Sequence, residues 1–163
     1  MGFVLGIIWI AFFIAFYLIF YFYHASQSDA NARSSPSASY EEGPFVVYDI
    51  GMTWDDAKAY CEKRGTHLAS VTSQTKQDSV VNVMSRGTKE SYWLGGQETN
   101  GDWSWITTED FDYTNWDWGE PNGSGDRLQI YNRPGHAWDD TTGTGDEGGG
   151  IKYPEIGTIC ESP

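Results

Sequence analysis

Acidic and amide side chains stand in the second half of this chain where they could hold a hard cation. Glu120-Pro121-Asn122-Gly123 is followed downstream by Trp138-Asp139-Asp140. Calcium takes about six to eight oxygen ligands at roughly 2.3–2.6 Å, so a site for it needs several carboxylate or amide oxygens converging from loops. Taken alone, Glu-Pro-Asn-Gly reads as an exposed turn, and Trp138-Asp139-Asp140 downstream reverses that preference in favour of a metal site. Asp139 and Asp140 could in principle serve as the acid and base of a glycoside hydrolase. Their adjacency in sequence suits coordination better than acid-base work, so no catalytic residue is expected and the chain reads as no enzyme. His24, His67 and His136 show no metal spacing.

The formal charge of -13 and pI near 4.3 argue against a nucleic-acid partner, because phosphate binding needs clustered Lys and Arg. An acidic surface serves solubility or includes carboxylates gathered round a cation, and composition alone favours solubility, so position has to decide. Aromatic residues make up 16% of the chain, as core or as sugar-stacking surface. At 163 residues there is room for one ordinary domain with appendages.

Residues 1–23 carry no charge and are apolar almost throughout. They are long enough to cross a bilayer core of roughly 30 Å as a helix, with Tyr17, Tyr21 and Tyr23 at a headgroup boundary. The alternative is a cleaved signal peptide with Ala30-Asn31-Ala32 as its site, but a basic leading region is missing and the apolar run is long. Residues 24–43 are rich in Ser, Ala and Asn and read as a solvated spacer. The folded domain is expected over 44–163. Pro44 to Ile50 has strand character, Thr53 can cap a helix with Asp55 and Asp56 in its first turn, and Trp54, Ala57 and Cys61 share one face of that helix. A second helix is predicted from Ser73 to Met84, burying Val80, Val83 and Met84, with Arg86-Gly87 as its stop. From Tyr92 onward short runs of aromatic, Gly, Asn and Asp residues predict short strands and long loops. The fold class is α+β, with two helices followed by looped antiparallel sheet.

Ordered motifs now become legible across the domain. Met52-Thr53-Trp54-Asp55-Asp56-Ala57-Lys58-Ala59-Tyr60-Cys61 leads to Gly65-Thr66-His67-Leu68-Ala69-Ser70-Val71, then Tyr92-Trp93-Leu94-Gly95-Gly96 and Trp103-Ser104-Trp105. Tyr113-Thr114-Asn115-Trp116, Gly119-Glu120-Pro121-Asn122, Trp138-Asp139-Asp140 and Ile159-Cys160-Glu161 complete the set. In order and spacing the chain resembles the C-type lectin domain family over about 44–162. The resemblance implies a C-type lectin-like domain, which the transmembrane helix read from residues 1–23 would display. Cys61 and Cys160 are then the expected disulfide, and closing so long a loop contributes on the order of 4–5 kcal/mol in the chain-entropy model. Two free buried thiols are the alternative. A bridge belongs to an oxidising compartment, which puts the domain on the extracellular or lumenal side. The family's inner disulfide is missing, with Leu128 and approximately Gly143 at its positions, and the stretch Thr141 to Gly150 is longer and richer in Gly than the family pattern.

By the same resemblance the metal ligands are Glu120, Asn122, Asp126, Asp139 and Asp140, the last adding its backbone carbonyl. The cofactor is Ca2+, and a cis Glu120-Pro121 bond aims the flanking side chains at one point. Two vicinal sugar hydroxyls would complete the coordination, hydrogen-bonded to Glu120, Asn122, Asp126 and Asp139, with Trp116 and Trp118 flanking the site as stacking surfaces. Glu followed by Asn resembles the branch that selects mannose, glucose, fucose or N-acetylglucosamine over galactose. Asp139 stands where the family commonly has Asn, which adds charge for the metal and removes an amide donor to the sugar. Asn122-Gly123-Ser124 is formally a glycosylation sequon. Glu98, Asp102, Glu109, Asp110 and Asp112 look like solvated loop acids. The expected partners are glycans, membrane lipid through residues 1–23, and a second copy of the chain or other membrane subunits. The competing function is a structural subunit of a membrane complex or filament that uses the domain for protein contacts.

Overall fold

A computed structural model describes residues 39–144 and 154–163. The membrane segment expected at 1–23, most of the expected spacer and most of the Gly-rich stretch after Thr141 therefore lie outside the described residues. Among the described residues no helix is long and apolar enough to cross a membrane.

The two helices form where their caps and apolar spacing direct. Helix α1, Trp54–Glu62, is capped by Thr53, whose Oγ1 accepts from the Asp56 amide at 3.2 Å, and it buries Trp54, Ala57 and Cys61. Helix α2, Gln74–Met84, is capped by Ser73 in the same way and buries Gln77, Val80, Val83 and Met84. Each cap satisfies an amide that the helix itself cannot, for about 1 kcal/mol.

The strands are β1 Ser39–Glu42, β2 Phe45–Tyr48, β3 His67–Leu68, β4 Ser91–Thr99, β5 Asp102–Trp105, β6 Arg127–Tyr131, β7 Trp138–Thr141 and β8 Ile156–Glu161. Their main path runs β1-β2-β8-β4-β6-β7, with β3 on β8 and β5 on β4. Two expectations need correction. The sheet is mixed rather than antiparallel throughout, because β4 and β8 run parallel, with Ser91 opposite Ile156. Ser39–Glu42, expected within the spacer at 24–43, instead pairs with β2 as a hairpin across Gly43-Pro44. Gly43 supplies the positive φ of 58° that such a two-residue turn needs at its first position.

Strand β8 binds the two halves of the domain. It pairs with β2 on one side and β4 on the other, and Cys160 within it is bonded to Cys61 of α1. Leu128, at one of the absent inner-disulfide positions, is fully buried in the main core with Leu94, Ile130 and Trp138. At the other position the Gly143 carbonyl accepts from the Trp54 amide at 2.8 Å, tying the segment after β7 to the start of α1 without a covalent link.

Candidate functional site

The site sits where the long loop between β5 and β6 folds back on β7. Trp138 anchors that meeting. It is fully buried, its Nε1 donates to Gln77 Oε1 of α2 at 3.0 Å, and its backbone bonds to Asn115 and Asp117 on the loop. The two residues after it are thereby held against the Glu120 segment. The Glu120-Pro121 peptide bond is cis.

Glu120, Asp139 and Asp140 each offer a carboxylate oxygen within 4.8 Å of the others. Asp139 and Asp140 are buried, and both are oriented by the fold. Asp139 Oδ2 accepts from Gln129 Nε2 at 2.8 Å and from the Tyr131 hydroxyl at 2.7 Å. Burial, then this bond to Asp139, raises the Tyr131 phenol above its ordinary value. Asp140 Oδ1 accepts from the Asn122 amide at 2.7 Å and Oδ2 from the Gly125 amide at 3.1 Å, while the Ser124 hydroxyl donates to the Asp140 carbonyl at 2.6 Å. Asn122 joins the cluster through Nδ2, which donates to Glu120 Oε1 at 3.0 Å, and its Oδ1 accepts from the Ser124 amide.

Of the expected ligands, Glu120, Asn122, Asp139 and Asp140 come together, and Asp126 is not in the carboxylate cluster. Its side chain is about half exposed and pairs with Arg127 Nη1 at 2.9 Å. The expected stacking residues also separate. Trp116 is half-buried against the core, forms a backbone bridge to Trp138 and packs edge-on against Trp103 with centroids 5.0 Å apart. Trp118 is 97% exposed. It rides on a turn closed by the Glu120 amide on the Asp117 carbonyl, with Gly119 at φ 88°, next to the acid cluster in sequence. A cleft of about 260 Å³ opens behind the loop, lined by Glu98, Trp103, Pro121, Asp140 and glycines. Gln129, Tyr131 and Ser124 escape a motif reading. The signal for the first two was the alternation Arg127, Gln129, Tyr131 on one side of β6, against Leu128 and Ile130 in the core.

The donor chemistry fits a hard cation, since carboxylates this close repel one another unless a positive charge or a proton lies among them. Burial, the hydrogen bond with Asp140 and the charge of Asp139 push the Glu120 carboxyl up to about 7. An acid raised in the folded state holds a proton that the unfolded chain has lost. Its contribution to stability therefore falls as pH rises from the ordinary value of 4.5 towards 7. Glu120→Gln is expected to flatten that limb in the presence of chelator and to melt above wild type at pH 7.5 but not at pH 4.5. Thermal melts across this window check it, and parallel curves for the two proteins would refute it.

Comparison with known proteins follows the same lines. The chain is 37% identical over 86 residues to E-selectin of Sus scrofa, covering 49% of this chain and 18% of that protein. It is 31% identical over 119 residues to ladderlectin of Oncorhynchus mykiss, covering 68% of this chain and 63% of that protein. The chain thus spans less than two thirds of these relatives. Among solved structures, a calcium-independent type II antifreeze protein superposes with a TM-score of 0.58 at 27% identity, covering 77% of this chain and 91% of that one. Residues 50–146 match the Lectin C-type domain. With more than half its length in that match, and with the fold and disulfide described above, the chain belongs to the C-type lectin domain family.

Proposed function

We propose that the chain binds carbohydrate through a calcium ion held by Glu120, Asn122, Asp139 and Asp140, and that it displays this site on the outer or lumenal side of a membrane. Members of this family are generally non-enzymatic carbohydrate-binding proteins, which accords with the expectation of no catalysis. The observation that carries the calcium reading is the convergence of three carboxylates from two separate segments within 4.8 Å. When bound, calcium supplies open coordination positions for two vicinal hydroxyls of a sugar. Glu120 accepts hydrogen bonds from those hydroxyls, and the Asn122 amide both donates and accepts. Asp139 accepts only. Gln129 and Tyr131 fix its orientation, so its charge serves the cation more than the sugar. Exposed Trp118 is the stacking surface, whereas Trp116 is partly buried against the core. The Glu-then-Asn order supports mannose-type sugars over galactose. The Cys61–Cys160 disulfide supports an oxidising compartment, and residues 1–23 supply the anchor.

A second reading draws on the internal hydrogen bonds that already engage the Asp140 carboxylate and carbonyl, and on the Asp126–Arg127 ion pair. On that reading the domain is a protein-contact module of a membrane assembly. A glycan array probed with and without chelator, on wild type and Asn122→Ala, separates the two. Mannose-type binding is expected to vanish with chelator and in the variant, and galactose to bind more weakly throughout. Binding indifferent to chelator would refute the calcium mechanism, and no glycan binding in any condition would favour the contact module.

A further inference from the structure

We propose that Asn122 is a site of spontaneous covalent modification, in which the Gly123 amide nitrogen closes on the Asn122 carboxamide and the residue ends as aspartate or isoaspartate. The chain carries two Asn-Gly pairs, Asn100-Gly101 and Asn122-Gly123, and both are exposed. In each the glycine brings no Cβ to crowd the attack, so dipeptide and exposure alone make them equals. Their hydrogen bonds part them. The Asn122 amide donates to Asp140 Oδ1 at 2.7 Å, the Ser124 amide to Asn122 Oδ1 at 2.8 Å and the Gly125 amide to Asp140 Oδ2 at 3.1 Å. In that run of described residues the Gly123 amide alone has no hydrogen-bond partner. A Cβ built on Gly123 would meet nothing within 4 Å. The attacking nitrogen therefore has no bond to give up and no wall against it. The Ser124 amide already donates to the carboxamide oxygen, the atom on which negative charge grows as the nitrogen adds. Asn122 Nδ2, the departing nitrogen, donates to Glu120 Oε1 at 3.0 Å.

Asn100-Gly101 is the turn between β4 and β5, whose Thr99 and Asp102 are paired. Both of its residues have positive φ, 56° and 94°, as a tight hairpin turn requires. Its glycine amide is not free, because it donates to Glu98 Oε1. Attack there must first break a charge-assisted bond, which slows it by at least about tenfold. At Asn122 the reaction forms a bond between Gly123 N and Asn122 Cγ, and the Gly123 amide proton passes to hydroxide. The Cγ–Nδ2 bond breaks, and the nitrogen leaves as ammonia after taking a proton from water. Water then opens the cyclic imide at either carbonyl, giving aspartate or isoaspartate, with no oxidation or reduction. Calcium is expected to slow the first step, because Asn122 Oδ1 is then held on the ion. Conversion removes the amide hydrogen that Asn122 would donate to a sugar hydroxyl. These last two consequences rest on the function proposed above, and the modification itself does not.

Peptide mapping by mass spectrometry tests this on the full chain, incubated for days in mildly alkaline buffer with chelator, with calcium, or in denaturant. In chelator Asn122 is expected to convert at least about tenfold faster than Asn100. In denaturant both pairs lose their hydrogen bonds, and the two rates are expected to agree within about twofold. Glu98→Ala frees the Gly101 amide, and is expected to speed conversion of Asn100 while leaving Asn122 unchanged. Faster conversion of both residues in Glu98→Ala would report general loosening, and the wild-type comparison between chelator and denaturant then decides by itself. Asn100 converting as fast as Asn122 in the folded chain would overturn the proposal. So would an Asn122 that stays intact in chelator while the denatured chain reacts. Calcium is expected to slow Asn122 and not Asn100. Calcium binding seen by calorimetry, with Asn122 still converting at its chelator rate, would remove Asn122 from the ion's ligands. That result would count against the calcium reading and leave the modification standing.

Discussion

Asp140→Asn is expected to weaken calcium binding by on the order of 100-fold while moving the melting temperature in chelator by only a few degrees. The two effects differ because they depend on different consequences of the same charge. As a ligand, the carboxylate of Asp140 is buried and shared between the cluster and the loop amides of Asn122 and Gly125. Removing its charge deprives a divalent ion of its best-oriented partner. For the fold, two terms oppose each other. One of the two charge-assisted hydrogen bonds to the amides is lost, each worth about 1.5–3 kcal/mol. Against that, repulsion from Glu120 and Asp139 is relieved, the same repulsion that helps to push the Glu120 carboxyl up to about 7. Calorimetry and chelator melts on the same preparation check both halves. Asp126→Asn provides the contrast. The two acids stand alike in the family motif, and only one of them is turned to the cluster, so equal losses from the two substitutions would contradict the described geometry.

That contrast marks what could be read from residue order. The helices were legible because their signals are local: Thr53 and Ser73 cap within one turn, and the buried faces repeat at helical spacing. Glu120, Asn122, Asp139 and Asp140 were legible as a motif. The partner of Asp126 was not, because it depends on where Trp54 of α1 holds the Arg127 guanidinium, a contact that no spacing within the loop encodes. Trp116 and Trp118 flank the site equally in sequence. They part because Trp116 lies where the loop bridges to Trp138 and meets the rings of Trp103 and Phe111, whereas Trp118 sits at a turn with nothing packed on it. Strand direction was illegible for a related reason. Alternation tells which face is buried, and it does not tell whether β4 and β8 run the same way. Strand β1 was hidden by its polar composition, although Gly43-Pro44 was a fair hairpin signal.

A second large effect is expected far from the loop. Lys76→Met should cost about 3 kcal/mol, near the low end for breaking a buried ion pair, because the Lys76 side chain remains 27% exposed whereas that of Glu161 is 6% exposed. The Lys76 ammonium lies 2.7 Å from Glu161 Oε1, 2.9 Å from Glu109 Oε1 and 3.0 Å from the Ser70 carbonyl, and Glu161 Oε2 accepts from the Ser70 amide at 2.9 Å. This network joins α2, the end of β8 beside the disulfide, and the segments after β3 and β5. Burial draws the Lys76 value down, yet the hydrogen bonds and charges of Glu161 and Glu109 outweigh it and leave the ammonium above its ordinary 10.5. Glu109 is tugged upward by burial and held below its ordinary 4.5 by Lys76. The lysine's contribution is thus complete below 10.5 and lost as pH climbs through its folded value. That of Glu109 is complete above 4.5 and lost as pH drops through its folded value. The gap between wild type and Lys76→Met in chemical denaturation should therefore stay flat from about pH 6 to 9 and narrow outside it. Adding Glu161→Gln should recover at least half of the loss, because glutamine still accepts from the Ser70 amide but leaves no buried charge unpaired. Were the double variant no more stable than Lys76→Met alone, the cost would lie in lost packing of the lysine stem rather than in the stranded Glu161 charge.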